Sequence, residues 1–380
     1  MNAEEAFSKN SSSKNKSSYY SKKKKKKVYK RKNNIRSKKT KTKKYKAKKY
    51  KNKKRSKLKR HKAWRSPKKS YLAHLPIQKS KKIPDLMCLR DNINFWKHIY
   101  ARIPDNYVVI HDRNDLSRVY KILQYDTSPS SSENAKKLER VKKHYYNTLL
   151  SLYIKTKYRI RLNKDEIRII EMFDENDRKP KSFLEASENI RSQNGLKRSF
   201  KDGIDRSLKY IPHLSHIVRK HDVPYDLLYL PHVESSYNPY AGSKVGAKGL
   251  WQIMPATMRH IMGRNTVHKR KDPIFSTYAA MKLLQRNYEE TQSWPLALTA
   301  YNHGLNGILR AMDKTKSRDL CRIIDEYESP SFKFASSNFY AQFLAARDVA
   351  IVSYRNVLKR HHKPLTLARE RYSINRKSSK

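Results

Sequence analysis

Cysteine, glycine and long apolar runs are all scarce in this chain of 380 residues. The two cysteines, Cys88 and Cys321, lie far apart and match neither a metal-ligand nor a redox spacing, so two unpaired thiols are expected. No stretch of 18 or more apolar residues occurs, which excludes a membrane-spanning helix. The opening MNAEEAFSKNSSSKNK lacks the basic-then-apolar order of a secretory signal, so no export route is read from it. Acidic residues are also few, 33 against 88 Lys and Arg, and the formal net charge is +55. A surplus of that size concerns partners rather than fold, because it attracts phosphate, carboxylate and anionic lipid or polymer.

The charge is unevenly placed. Residues 1–70 carry a net +30 and the rest of the chain +25. The first stretch has almost no aliphatic side chains and its like charges repel, so it reads as a disordered Lys-rich arm. Its partner can be nucleic acid through counterion release, an anionic membrane surface or an acidic polymer, and a bare lysine run does not choose between them. Tyr19, Tyr20, Tyr29, Tyr45 and Tyr50 are interleaved with the lysines, where they could stack on bases. Pro76 and Pro84 mark residues 71–85 as a linker, and ordered structure is expected from about Leu86.

Periodicity divides the remainder of the chain. In residues 86–202, Ile93, Trp96, Ile99, Tyr100 and Ile103 keep helical spacing, residues 106–111 read as a short β-branched strand, and a long amphipathic pattern runs from Ser132 to about Arg159. This accessory region is therefore mostly helical. Residues 203–358 are again mainly helical, with apolar positions from Ile204 to Val218 divided at Pro212, a second helix carrying Leu227, Leu228, Leu230 and Val233, and further helices over 275–290, 294–302, 306–312 and 339–358. A basic tail fills 359–380.

Chemistry concentrates after the second of these helices. Glu234 stands near the end of an apolar helix, ahead of a polar loop bearing Gly242, Gly246 and Gly249. Half-burial would disfavour its charge, raise its pKa and let it hold a proton near neutrality, as a general acid for a glycosidic oxygen must. Ser243 and Gln252 add hydrogen-bonding groups, and Trp251 and Met254 offer apolar walls for a sugar ring. Each has a plainer reading as surface charge, cap, turn or core residue. Those readings do not account for the whole set within one short segment.

The segment ESSYNPYAGSKVGAKGLWQIMPAT, followed by Ala300-Tyr301-Asn302 with Gly304 and Gly307 and by NFYAQFLAA at 338–346, resembles the soluble lytic transglycosylase family, family 23 of the glycoside hydrolases. NFWKHIYARI, VVIHD and IRSQNGLKRSFKDGIDRSLKYI further resemble the membrane-bound lytic transglycosylase D type. The resemblance covers about 203–358 and implies a lysozyme-like helical fold of the goose type. It implies cleavage of peptidoglycan glycan strands between N-acetylmuramic acid and N-acetylglucosamine, leaving a 1,6-anhydromuramic end. Glu234 would be the single acid/base; Ser243, Gln252 and Met254 would line the groove; Tyr301 would orient Glu234 or substrate; Asn302 would contact the sugar; and Tyr340 would sit close to Glu234. One position departs from the pattern, since the acidic residue usual four places before the last Tyr is Ser336 here. No acidic residue lies between Glu234 and Asp272, in keeping with one-carboxylate chemistry. A lysozyme-type hydrolase and a non-catalytic polyanion- or glycan-binding protein are the competing classes. No cofactor or metal is implied, none of the fourteen His residues forms a ligand pattern, and the substrate points to the cell envelope or periplasm.

Overall fold

The computed structural model describes residues 69–126 and 131–377; apart from its last two positions, the expected arm lies outside them. The accessory region begins with α1 (Arg90–Ala101), whose Ile93, Phe95, Trp96, Ile99 and Tyr100 are buried. Three antiparallel strands follow the order β2-β1-β3: β1 (Tyr107–Asp112), β2 (Val119–Gln124) and β3 (Ile190–Asn194). Side chains alternate along a strand. Val109 on β1 therefore enters one apolar core, and its neighbour Ile110 enters another. The smaller core gathers Tyr145, Leu149 and Leu152 of α2 (Ser132–Lys157), Ile169 of α3 (Lys164–Ile170), and Phe183 and Ala186 of α4 (Pro180–Glu188). Local chemistry starts these helices: Ser131 accepts from the Asn134 amide, and Asn163 with Glu166 forms a capping box.

The larger core continues through α5 (Lys197–Lys220). This helix runs unbroken past Pro212, where a division was expected. An internal proline removes one backbone donor and costs about 3 kcal/mol. Ile211, Leu214, Ile217 and Val218 are each buried around it, and burial of such side chains contributes roughly 1.5–3 kcal/mol apiece, so packing wins. After it come α6 (Leu230–Ser235), α7 (Pro255–Met262), α8 (Pro273–Thr291), α9 (Trp294–His303), α10 (Leu305–Thr315), α11 (Leu320–Glu326) and α12 (Phe334–Lys377). The last helix continues well beyond the expected end at residue 358. It packs along α1 of the accessory region, and one core contains residues from both sides of position 203.

The structure corrects two further expectations about this region. Residues 71–85 do not behave as a free linker, because Leu75 and Ile83 are buried in the larger core. Backbone carbonyls of His74, Pro76, Ile77, Ile83 and Pro84 accept hydrogen bonds from Tyr225, Tyr229, Arg355, Arg347 and Tyr340. Side-chain donors from the helices thus satisfy a backbone that is irregular once the 3₁₀ helix Lys69–His74 has ended. Arg347, fully buried, also pairs with Asp85 and with Asp226 at 3.4 Å. The second correction concerns Cys88 and Cys321, which form a disulfide rather than two free thiols. The fold brings their Cα atoms to 6.1 Å across a sequence separation of 233.

Candidate active site

Glu234 is set by a short chain of cause. Pro224 leads into a 3₁₀ turn, Tyr225–Tyr229, whose Leu227, Leu228 and Tyr229 are buried, and α6 continues from it. His232 faces the core, stacked on Phe200 at 5.0 Å with its Nε2 2.8 Å from the Tyr354 hydroxyl. Two positions on, Glu234 emerges only half-buried. The helix then ends abruptly, with Ser236 (φ 48°) and Tyr237 (φ 57°) both in the left-handed region. Such residues cost of order 1 kcal/mol or more each and persist where surroundings hold them. Tyr237 N–H donates to the Pro231 carbonyl at 2.9 Å, its buried hydroxyl donates to the Leu228 carbonyl, and Arg206 Nε donates to the Ser236 carbonyl at 2.9 Å.

The loop after this turn folds back against the residue that follows Glu234. Ser235 Oγ donates to the Leu250 carbonyl at 2.8 Å, and from α9 Tyr301 Oη donates to the Trp251 carbonyl at 2.7 Å. One dipeptide is therefore gripped from both sides by residues adjacent to Glu234 and to Asn302. Gly249 makes the path feasible: its φ is +85°, and an added Cβ would stand 2.0 Å from the Arg270 carbonyl oxygen. Arg270 Nη1 reaches the Gly246 carbonyl at 2.7 Å, tying the loop to the chain ahead of α8.

Electrostatics follow from burial. Among the described residues nothing donates a hydrogen bond to the Glu234 carboxylate, and desolvation pushes its pKa up to about 8. Burial first, and then the Glu234 charge, raises the Tyr301 phenol, which puts the two groups within electrostatic reach. His232 is pushed down to about 3 by burial and by Arg206, so it stays neutral. No acidic side chain among the described residues contributes to the Glu234 shift.

The other candidates separate into two groups. Ser243 accepts from the Ala247 amide at 2.9 Å, bracing the loop while its own hydroxyl proton remains to donate. Gln252, at φ 44°, bends back so that Nε2 donates to the Gly249 carbonyl at 2.8 Å. Met254 is exposed on the same loop, as are Tyr240 and Val245. Trp251 is not a sugar-facing wall, since it is wholly buried with Nε1 donating to Thr277 Oγ1 at 2.8 Å. Tyr340 is likewise core: its ring has no exposed surface, its hydroxyl donates to the Pro84 carbonyl at 2.7 Å, and its charged neighbours are Arg347, Asp85 and Asp226, with Glu234 not among them. Sequence reasoning passed over Ser235 and His303, although AYNHG sets His303 directly after Asn302. Two cavities, of about 660 and 400 Å³, lie elsewhere, and Glu234 lines neither. Among the described residues no group of three or more His, Cys, Asp or Glu is placed to hold a metal ion.

Residues 215–323 match the family model described as the transglycosylase SLT domain. Over 116 residues the chain is 35% identical to membrane-bound lytic murein transglycosylase D of Escherichia coli (strain K12), a match spanning 30% of this chain and 26% of that protein. Over 148 residues it is 26% identical to membrane-bound lytic murein transglycosylase C of Haemophilus influenzae (strain PittEE), spanning 35% and 42%. The chain thus spans about a quarter to two fifths of the length of these relatives. Among solved structures, the 70 kDa soluble lytic transglycosylase of Escherichia coli aligns over 60% of this chain and 44% of its own, at 16% identity and a TM-score of 0.33.

Proposed function

We propose that this chain, which carries a transglycosylase SLT domain homologous to those of lytic murein transglycosylases D and C, cleaves the glycan strand of peptidoglycan at the N-acetylmuramic acid to N-acetylglucosamine β-1,4 bond. The observation that carries the reading is a lone carboxyl, Glu234, kept protonated by burial beside an open loop. As general acid it gives its proton to the glycosidic oxygen as the bond from the muramic carbon 1 breaks. As carboxylate it then takes the proton of that sugar's own carbon-6 hydroxyl, whose oxygen closes on carbon 1. A 1,6-anhydro ring forms, the carboxyl is regenerated and no water is consumed. An ordinary glycosidase places a second carboxylate within about 5–10 Å of the first. Glu234 feels none among the described residues, and an intramolecular nucleophile gains effective concentration instead.

Ser243 and Gln252 offer the remaining hydroxyl proton and amide oxygen to the glycan, Met254 with Tyr240 offers apolar surface, and Tyr301 holds the loop after Glu234. The relatives are membrane-bound by name, and the cell envelope is the proposed place of action; among the described residues no helix is long and apolar enough to cross a membrane. The Lys-rich arm, at net +30, would hold the domain near an anionic envelope polymer. Digestion of purified sacculi followed by mass spectrometry of the products tests the reaction. Anhydromuramic ends from the wild type and none from Glu234→Gln are expected. Reducing ends would make the protein a lysozyme-type hydrolase, and an unaltered sacculus would leave a glycan- or polyanion-binding module.

A further inference from the structure

Beside Asn302 the structure holds a polar chain that the proposed reaction does not use. His303 is the last residue of α9, and Gly304 (φ +93°) turns the backbone away directly after it. The imidazole is boxed in. Phe332 meets it edge-on with ring centroids 5.2 Å apart, and a Cβ added to Gly307 would lie 2.4 Å from its Cδ2 and Nε2. Its Nδ1 is 3.0 Å from Ser336 Oγ, and Ser336, buried on α12, donates in turn to Asn302 Oδ1 at 3.4 Å. A serine hydroxyl has one proton, so if it goes to Asn302 the hydrogen in the other contact must come from His303 Nδ1. The order is then His303 Nδ1–H to Ser336 Oγ–H to Asn302 Oδ1.

We propose that His303 is a positioning residue for Asn302, acting through Ser336. The relay fixes the Asn302 amide with its carbonyl oxygen toward α12, which leaves both hydrogens of Nδ2 for a carbonyl or hydroxyl acceptor on the sugar. Among the described residues no acceptor meets Nδ2. With the other tautomer Ser336 would donate to His303, and the amide would lose its anchor. The assignment also gives Ser336 a task at a position where an acidic residue was expected: a hydroxyl can pass a hydrogen bond onward, and a carboxylate, which only accepts, cannot.

The proposal rests on the glycan-cleaving reading, so wild type and Glu234→Gln are assayed first on soluble glycan strands released from sacculi. Asn302→Ala, Ser336→Ala, His303→Ala and the Asn302→Ala/Ser336→Ala double variant follow. Each single change is expected to raise KM about five- to tenfold with kcat moved less than about twofold, the size of one well-placed polar contact. The double variant should be no worse than Asn302→Ala alone, and His303→Asn, whose amide N–H can stand near Nδ1, should recover most of the affinity. Ser336→Ala leaves the imidazole in place, so the relay can be read even if His303→Ala does not fold. An active wild type in which the Asn302 and Ser336 losses multiply, or in which Ser336→Ala keeps the wild-type KM, overturns the relay alone. A wild type with no more glycan cleavage than Glu234→Gln overturns the glycan reading and the relay with it.

Discussion

At the scale of single residues, the same burial that raises the Glu234 pKa burdens the fold. Its carboxyl titrates from an ordinary 4.5 when unfolded to about 8 in place. Between those values the unfolded chain releases the proton and the folded chain keeps it, so stability from this group falls as pH rises through that window. Glu234→Gln cannot ionise. Melting temperatures of wild type and variant are expected to coincide near about pH 4 and to separate toward pH 8 with the Gln protein higher, as thermal melts across that range would show. Cleavage by the wild type should decline above about pH 8, as the acid form is lost. The half-buried place of Glu234 at the end of an apolar helix was legible because its motif is contiguous. Tyr340 was not, since a tyrosine in NFYAQFLAA carries no mark of whether its hydroxyl meets Glu234 or, as found, the Pro84 carbonyl.

At the scale of elements, the six residues of α6 are too few to hold a helix by themselves, because nucleation is costly and isolated helices shorter than about 12 residues are marginal. The buried 3₁₀ turn before it and the loop clamped at Leu250 and Trp251 hold it instead. Gly249→Ala puts a methyl group into the Arg270 carbonyl and strains a φ of +85°. It is expected to lower unfolding free energy by about 1–3 kcal/mol in urea titration. Cleavage should fall with it, since the loop that Ser235 and Tyr301 clamp is displaced. Long amphipathic helices such as α2, α5 and α8 were readable from spacing, whereas α7 and α11 span only eight and seven residues, bury only Met258 and the Leu320, Ile323 pair, and are too short to sustain a periodic pattern. β3, with the sequence IRSQN, lacks apolar alternation and is a strand only because β1 pairs with it.

At the scale of the whole molecule, one core runs from Leu75 to Val357, and its two ends are joined by more than packing. Arg347 is buried against Asp226, and removing one member of such a pair leaves an uncompensated charge. The disulfide closes the long path between Cys88 and Cys321. Disulfides typically stabilise by about 2–4 kcal/mol, largely by restricting the unfolded chain. Alkylation of the untreated protein should find no reactive thiol among these two, and a Cys88→Ser/Cys321→Ser variant should lose about 2–4 kcal/mol in chemical denaturation while keeping its pH profile. Free thiols in the native protein would contradict the pairing.

Local pattern in the sequence was enough for the charge divided between arm and remainder, for a mainly helical chain and for Glu234 within its motif, because composition, helical spacing and contiguous motifs are properties of neighbours. Tertiary structure alone decided that Cys88 meets Cys321, that residues 74–85 are stitched into the core, that Trp251 and Tyr340 face inward, and that His303 reaches Asn302 through a serine on α12. Each of these joins positions separated along the chain, and such pairs are chosen by which faces the whole core buries.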